Sequence, residues 1–300
     1  HAPLLEQIFS LDLNDESYDI ESVEGSIPDF IRGTYYLNGP ARFKVGDIQY
    51  RNWLDGDGMV TTLRFHDDGV KFTNRFVRSE KLVAEEDAGK AVYRCFGTAF
   101  PGDRLKRNIA TESPINVSLY PFAGKLLAFG EQSIPYEMDP DTLETIGPFD
   151  FNGYLNEITP FSAHPKFDYA TGEMFNFGIS FSSSQPRLTL HRFNNRAEII
   201  FRKRIPIDYA CSIHDFGLSP SYAVFYLSPY ILDIERLTRQ GSSTIDALSW
   251  EPERGSQLRL LSREDGTEIA NIPLGQGYCL HLANCFETED HLIVDVVEYE

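Results

Sequence analysis

The chain has 300 residues, 42% of them hydrophobic, with 27 Lys and Arg against 45 Asp and Glu for a formal net charge of −18. That is enough apolar material for a sizeable core, and no apolar run is long enough for a membrane-spanning helix. The acidity argues against nucleic acid as a partner, because neutralising phosphates takes clustered Lys and Arg, although a small apolar patch touching a membrane surface is compatible with it. In chain order, a short helix is predicted over 3–10, and strand-like runs dominate from residue 34 onward. They include Gly33-Thr-Tyr-Tyr-Leu, Met59-Val-Thr-Thr-Leu-Arg-Phe, Val70-Lys-Phe-Thr-Asn-Arg-Phe-Val, Lys125-Leu-Leu-Ala-Phe and Glu173-Met-Phe-Asn-Phe-Gly. Leu188-Thr-Leu-His-Arg-Phe, Tyr222-Ala-Val-Phe-Tyr-Leu and His291-Leu-Ile-Val-Asp-Val-Val continue the series, with a second short helix predicted over 230–239. Most runs are rich in β-branched and aromatic residues and end at turn signals such as Asp67-Asp-Gly, Phe122-Ala-Gly-Lys and Asp265-Gly. The pattern is all-β: a sandwich, barrel or propeller. No low-complexity linker interrupts it, so residues 1–300 read as one domain.

Both ends carry signals of their own. The chain opens on His1 with no signal-peptide core, which reads as a processed or trimmed start. It stops at Val296-Val-Glu-Tyr-Glu, inside a strand-like run, which predicts a domain continuing beyond residue 300. Of the cysteines, Cys95, Cys211, Cys279 and Cys285, no two form a Cys-x-x-Cys pair, so a reduced, cytoplasmic setting is expected.

Three segments place a histidine in a matched context: Phe161-Ser-Ala-His164-Pro, Cys211-Ser-Ile-His214-Asp-Phe and Tyr278-Cys-Leu-His281-Leu-Ala-Asn. A small residue stands two before each histidine and a small or branched apolar residue one before. The spacings of 50 and 67 residues exceed what one helix or hairpin can hold. They approach one four-stranded blade of a radial β repeat, roughly 40–50 residues before insertions. Equivalent inner positions of successive blades would aim all three imidazoles at one axis, where a metal could sit. A single such histidine is more often a buried side chain than a ligand. The remaining four fit that plainer account: His1 is terminal, His66 precedes a turn, His191 alternates with Leu190 and Arg192 on what reads as an exposed strand, and His291 opens a strand. Cys279 should share a strand face with His281, as a small buried hydrophobe. Asp55-Gly-Asp57-Gly lacks the third oxygen ligand and closing glutamate of a calcium loop, so turn formation accounts for it better. No nucleophile elbow, phosphate-binding loop or dinucleotide fingerprint is present.

Further segments extend the pattern over nearly the whole chain. They are Val23-Glu-Gly-Ser-Ile-Pro, Gly33-Thr-Tyr-Tyr-Leu-Asn-Gly-Pro40, Trp53-Leu-Asp-Gly-Asp-Gly-Met-Val60, Asn74-Arg-Phe-Val-Arg78 and Gly124-Lys-Leu-Leu-Ala-Phe-Gly-Glu131. With Ser162-Ala-His-Pro165, Ile213-His-Asp-Phe216 and His281-Leu-Ala-Asn-Cys-Phe-Glu287, the chain resembles the carotenoid cleavage oxygenases, non-haem iron enzymes that include stilbene-cleaving members and a retinoid isomerase. The resemblance implies a seven-bladed β-propeller with a loop-and-helix dome over one face, of which this chain supplies the front part. It implies Fe(II) held by four histidines, with His164, His214 and His281 matching the first three and the fourth lying beyond residue 300. Glu131 matches a glutamate that orients one of the ligands from behind.

The implied activity is cleavage of a conjugated C=C bond by O2 to give two carbonyl products. The substrate would be lipophilic, an apocarotenoid or carotenoid first and a phenolic stilbene second. No catalytic side chain beyond the metal site is implied. Asp215, beside His214, reads as a structural hydrogen-bonding residue, since oxygen insertion into an alkene needs no base. The reading of another class is a propeller that binds or scaffolds without catalysis, its histidines merely buried.

Overall fold

The computed structural model describes residues 3–156, 158–181 and 185–299, so His1 lies outside the described residues. The chain is mostly sheet, as the strand patterning predicts, and it divides into two compact units. The first comprises His1–Lys106, Thr111–Gly130 and Pro135–Phe149; the second comprises Arg107–Ala110, Glu131–Ile134 and Asp150–Glu300.

In the first unit, one four-stranded sheet has the order Glu16–Asp19, Gly69–Phe76, Asp57–His66, Gly33–Arg42. Another runs Thr145–Pro148, Tyr136–Met138, Lys125–Phe129, Ser118–Phe122. Every pairing is antiparallel. Val60, Val77, Ile115, Leu126, Ala128 and Met138 pack together as a core. The unit also holds a helix, Glu80–Ala88, that the apolar pattern does not predict. Ser79 caps its start by accepting from Leu82 N, and Gly89 closes it with φ 62, a left-handed conformation that glycine adopts without a Cβ clash. The helix buries Lys81 and Glu85 in a charged network with Asp57 and Arg42. Asp55, equally buried, accepts from Gly97 N and Thr98 Oγ1. Both aspartates of the Asp-Gly-Asp-Gly segment thus serve local structure.

The second unit contains a four-stranded meander, Lys166–Asp168, Glu173–Ser180, Arg187–Phe193, Ile199–Pro206. A second sheet follows, ordered Gly217–Leu218, Tyr222–Leu227, Gln257–Ser262, Glu268–Pro273. A hairpin of Tyr230–Leu232 with Leu248–Trp250 and the helix Ile234–Thr238 are inserted between its second and third strands. The helix is therefore shorter than the predicted 230–239, because its first three residues pair as a strand. A two-stranded sheet, Tyr278–Glu287 with Leu292–Tyr299, ends the described chain. The core joins Phe175, Phe177, Leu190, Ile213, Phe216 and Phe225, with the Phe216 and Phe225 rings stacked 5.2 Å apart. One expectation fails outright: His191 is fully buried. Its strand is covered on both faces, so side-chain alternation no longer separates inside from outside.

Candidate metal centre

Each of the three matched histidines sits where its backbone is held but the strand ladder is not yet running or is interrupted. His164 lies two residues before the strand Lys166–Asp168. Its segment is fixed from below by Asn176, fully buried, which accepts from Ser162 N at 2.9 Å and donates to Ser162 O at 2.9 Å. Ser162 Oγ then accepts from His164 N at 3.1 Å and donates to His214 O at 3.2 Å, linking two of the histidine segments. The approach requires Gly178, because a Cβ there would meet Pro160 O at 2.0 Å. His214 lies three residues before Gly217–Leu218 and is anchored by Ile213 and Phe216, both in the core. Gly217 brings this segment against the next sheet, since a Cβ there would meet Cys285 Cβ at 2.8 Å.

His281 alone lies within a strand, Tyr278–Glu287, and beside a shift in register between Cys279 and His281. That bulge overturns the expected sharing of a face by Cys279 and His281. Cys279 instead packs with Leu282 against Tyr226, and the His281 side chain stays 43% exposed. Nor do all three histidines occupy inner strands, as equivalent blade positions would require.

The structure nonetheless brings the three side chains to one place. Ligand-competent atoms of His164, His214 and His281 all lie within 4.8 Å of one another. His164 Nε2 and His214 Nε2 are 2.8 Å apart, and the His281 ring centre is 5.1 and 4.8 Å from the other two. His66 and His291 stand outside the group, as does His191, whose Nδ1 is 3.1 Å from the Tyr154 hydroxyl. Glu131 joins from behind, its Oε1 2.9 Å from His214 Nδ1. The contact is one of ion-pair distance, and among the described residues this buried oxygen has no hydrogen-bond partner of regular geometry. A proton on Nδ1 leaves Nε2 bare and facing the other imidazoles.

The electrostatics divide the imidazoles. Burial, reinforced by the neighbouring His214, lowers the His164 pKa from 6.5 to about 4, so this ring is neutral at pH 7. Burial also pulls on His214, but the Glu131 carboxylate outweighs it and raises that pKa. Asp215 is the participant that the motif underrated. It accepts from Phe216 N and Lys166 Nζ, each at 2.8 Å, and from Leu282 N at 3.2 Å, and its Oδ2 lies 3.4 Å from His281 Nδ1. Burial pushes its pKa up, yet the Lys166 ammonium brings it below the ordinary range, keeping the carboxylate ionised. Lys166 had no marker in the sequence beyond lying two residues after His164.

The retinal pigment epithelial membrane protein (RPE65) family matches residues 10–300 of this chain. The chain belongs to the RPE65 family. Among curated relatives of this RPE65-family chain, the apocarotenoid-15,15'-oxygenase of Synechocystis sp. is 35% identical over 298 residues, covering 94% of this chain and 59% of that protein. Resveratrol cleavage oxygenase 1 of Aspergillus fumigatus is 34% identical over 284 residues, covering 93% and 55% respectively. The chain thus spans somewhat over half the length of these relatives. Among solved structures, cobalt-substituted Synechocystis apocarotenoid oxygenase superposes with a TM-score of 0.85 at 32% identity, covering 96% of this chain and 62% of that one.

The donor set fits a divalent first-row metal. Imidazole nitrogens suit such ions, and the Nε2 atoms of His164 and His214 already face each other at 2.8 Å. Two nitrogens bound about 2.1 Å from one ion at a right angle stand about 3 Å apart. The observed separation of His164 Nε2 and His214 Nε2, 2.8 Å, is close to that.

Proposed function

We propose that the protein is an Fe(II)-dependent oxygenase that cleaves a conjugated C=C bond of a lipophilic substrate, an apocarotenoid or carotenoid. The observation that carries this reading is the convergence of His164, His214 and His281, with Glu131 behind His214. These three histidines would hold the iron, which when bound supplies the means to bring O2 and the alkene into reaction. Overall, one C=C bond and one O2 give two C=O groups. The alkene supplies the electrons, so no nicotinamide, flavin or oxo acid is required.

The chain's own residues have definite tasks in this scheme. Glu131 accepts the His214 Nδ1 proton, which fixes the tautomer and makes the inward nitrogen a better donor. His164, kept neutral by its surroundings, offers a lone pair without first losing a proton. Three neutral ligands leave the charge of the ion uncompensated and leave positions open for small molecules. Asp215, engaged by Lys166 and two backbone amides, is a poor candidate for a base.

A fourth histidine beyond residue 300 and a seven-bladed propeller that continues past it belong to the same proposal. The succession of antiparallel four-stranded sheets along the chain supports the propeller. No described helix is long and apolar enough to cross a membrane, and contact with a membrane surface would serve delivery of an apolar substrate. A phenolic stilbene is the second reading, favoured by the similarity to a resveratrol cleavage oxygenase. The test is anaerobic iron loading followed by O2, offering an apocarotenoid aldehyde and resveratrol in parallel. Mass spectrometry should find two carbonyl fragments from the apocarotenoid, with one O2 consumed per bond cleaved. Cleavage of resveratrol alone moves the assignment to stilbenes. Iron binding with neither substrate cleaved and no O2 uptake defeats the oxygenase reading.

A further inference from the structure

Three imidazoles can share a metal only if segments from three separate sheets keep their spacing to within a few tenths of an ångström. The sheets themselves do not guarantee this. His164 and His214 precede their strands, and His281 adjoins an interrupted stretch of ladder. One carboxylate reaches all three segments. Asp215 is the neighbour of His214. Its Oδ1 accepts from Lys166, two residues past His164, and its Oδ2 accepts from Leu282 N, one residue past His281. Oδ2 also stands 3.4 Å from the His281 ring nitrogen Nδ1. The Asp215 side chain is 4% exposed, so these charge-assisted bonds operate in a low-dielectric setting where they are strong. A carboxylate serving only its own turn would bond locally. This one spends a single local bond, to Phe216 N, and directs the rest at the two other histidine segments.

We propose that Asp215, held by Lys166, is a positioning residue that sets the mutual placement of the three imidazoles and so the affinity and geometry of the metal site. The proposal rests on the metal reading above. Its test uses the full-length protein, stripped of metal, titrated with Co(II) and monitored by visible ligand-field absorption, beside thermal melting of the metal-free form. Asp215→Asn keeps the shape but removes the charge and gives one arm a donor where acceptors are needed. Co(II) affinity should fall about 10–100-fold and the absorption envelope should shift, as for other residues that orient a ligand from behind. Lys166→Met, at a partly exposed site, should weaken binding in the same direction by about tenfold. Wild-type affinity and spectrum in Asp215→Asn, with or without a lower melting temperature, overturn the proposal. Should that variant fail to fold, the same result in Lys166→Met overturns it. Failure of the wild-type protein to bind Co(II), or equal binding by His164→Ala, defeats the metal reading itself.

Discussion

His191 occupies the strand Arg187–Phe193 with no exposure, its Nδ1 beside the Tyr154 hydroxyl and its Nε2 without a hydrogen-bond partner among the described residues. Burial, then the charges of Arg202 and Arg204, push its pKa from 6.5 down to about 3. A histidine held neutral in this way stays unprotonated when folded while the unfolded chain takes up a proton. Its contribution to stability is therefore intact above about pH 6.5 and is lost progressively as pH falls toward about 3. His191→Phe removes that titration. Whatever the extra ring volume costs, the cost does not depend on pH. Urea unfolding across this range should show a shallower acid slope for His191→Phe than for wild type, and parallel slopes would count against the burial argument. Nothing in the local pattern warned of this burial, because an imidazole between Leu190 and Arg192 looks like an outward position on a half-buried strand. The three candidate metal-binding histidines were legible for a different reason: each repeats the same small and apolar approach, and that repetition together with the family resemblance set them apart from a singly buried imidazole. Asp215 showed only a proximity to His214, and its reach to Lys166 and Leu282 depends on folding across long separations.

At the scale of elements, strands bounded by turn residues read well, since their side chains alternate and their ends are punctuated. Lys125–Phe129 matches its predicted run residue for residue. The helix Glu80–Ala88 did not read, because the face it buries carries charge. Lys81 Nζ, fully buried, lies 2.9 Å from Asp57 Oδ1 and 3.0 Å from Glu85 Oε2. Arg42 Nε is 2.7 Å from Asp57, and the Tyr50 hydroxyl donates to Glu85 at 2.9 Å. Burial works against the ammonium, but Asp57 and Glu85 hold its pKa well above the ordinary range. Ser79 and Gly89, the two caps, were the available signals. Removing one member of such a network leaves a buried charge short of a partner, at a cost of about 3–5 kcal/mol. Lys81→Met should lose about that much stability by urea unfolding. Lys81→Met with Glu85→Gln should lose less, because the second change removes the stranded charge. Additive losses in the double variant would show that the two residues do not act as a pair.

The all-β character of the chain was legible from turn spacing, as was a short helix near 230–239, whereas the hairpin that accompanies this helix between Tyr222–Leu227 and Gln257–Ser262 was not, since its strands are three residues each. The bulge at Cys279–His281 was equally hidden, because a register shift depends on the partner strand and not on local composition. These features bear on how a metal would act on the second unit as a body. Its three candidate ligands come from three sheets, and one of these, Tyr278–Glu287 with Leu292–Tyr299, has only two strands. A ligand that binds only the folded form stabilises it by mass action, by about 2.7 kcal/mol at one hundred times its dissociation constant. For a cooperative unit of 150–250 residues, that corresponds to a rise of roughly 5–10 °C in melting temperature. Anaerobic addition of Fe(II) or Co(II) should produce such a rise in the wild-type protein and none in His164→Ala. Hydrogen exchange should slow together in 161–168, 211–218 and 278–287, because one ion would tie those segments to each other. A rise shared equally by His164→Ala, or protection confined to one of the three segments, would mean that the histidines do not act as a single site.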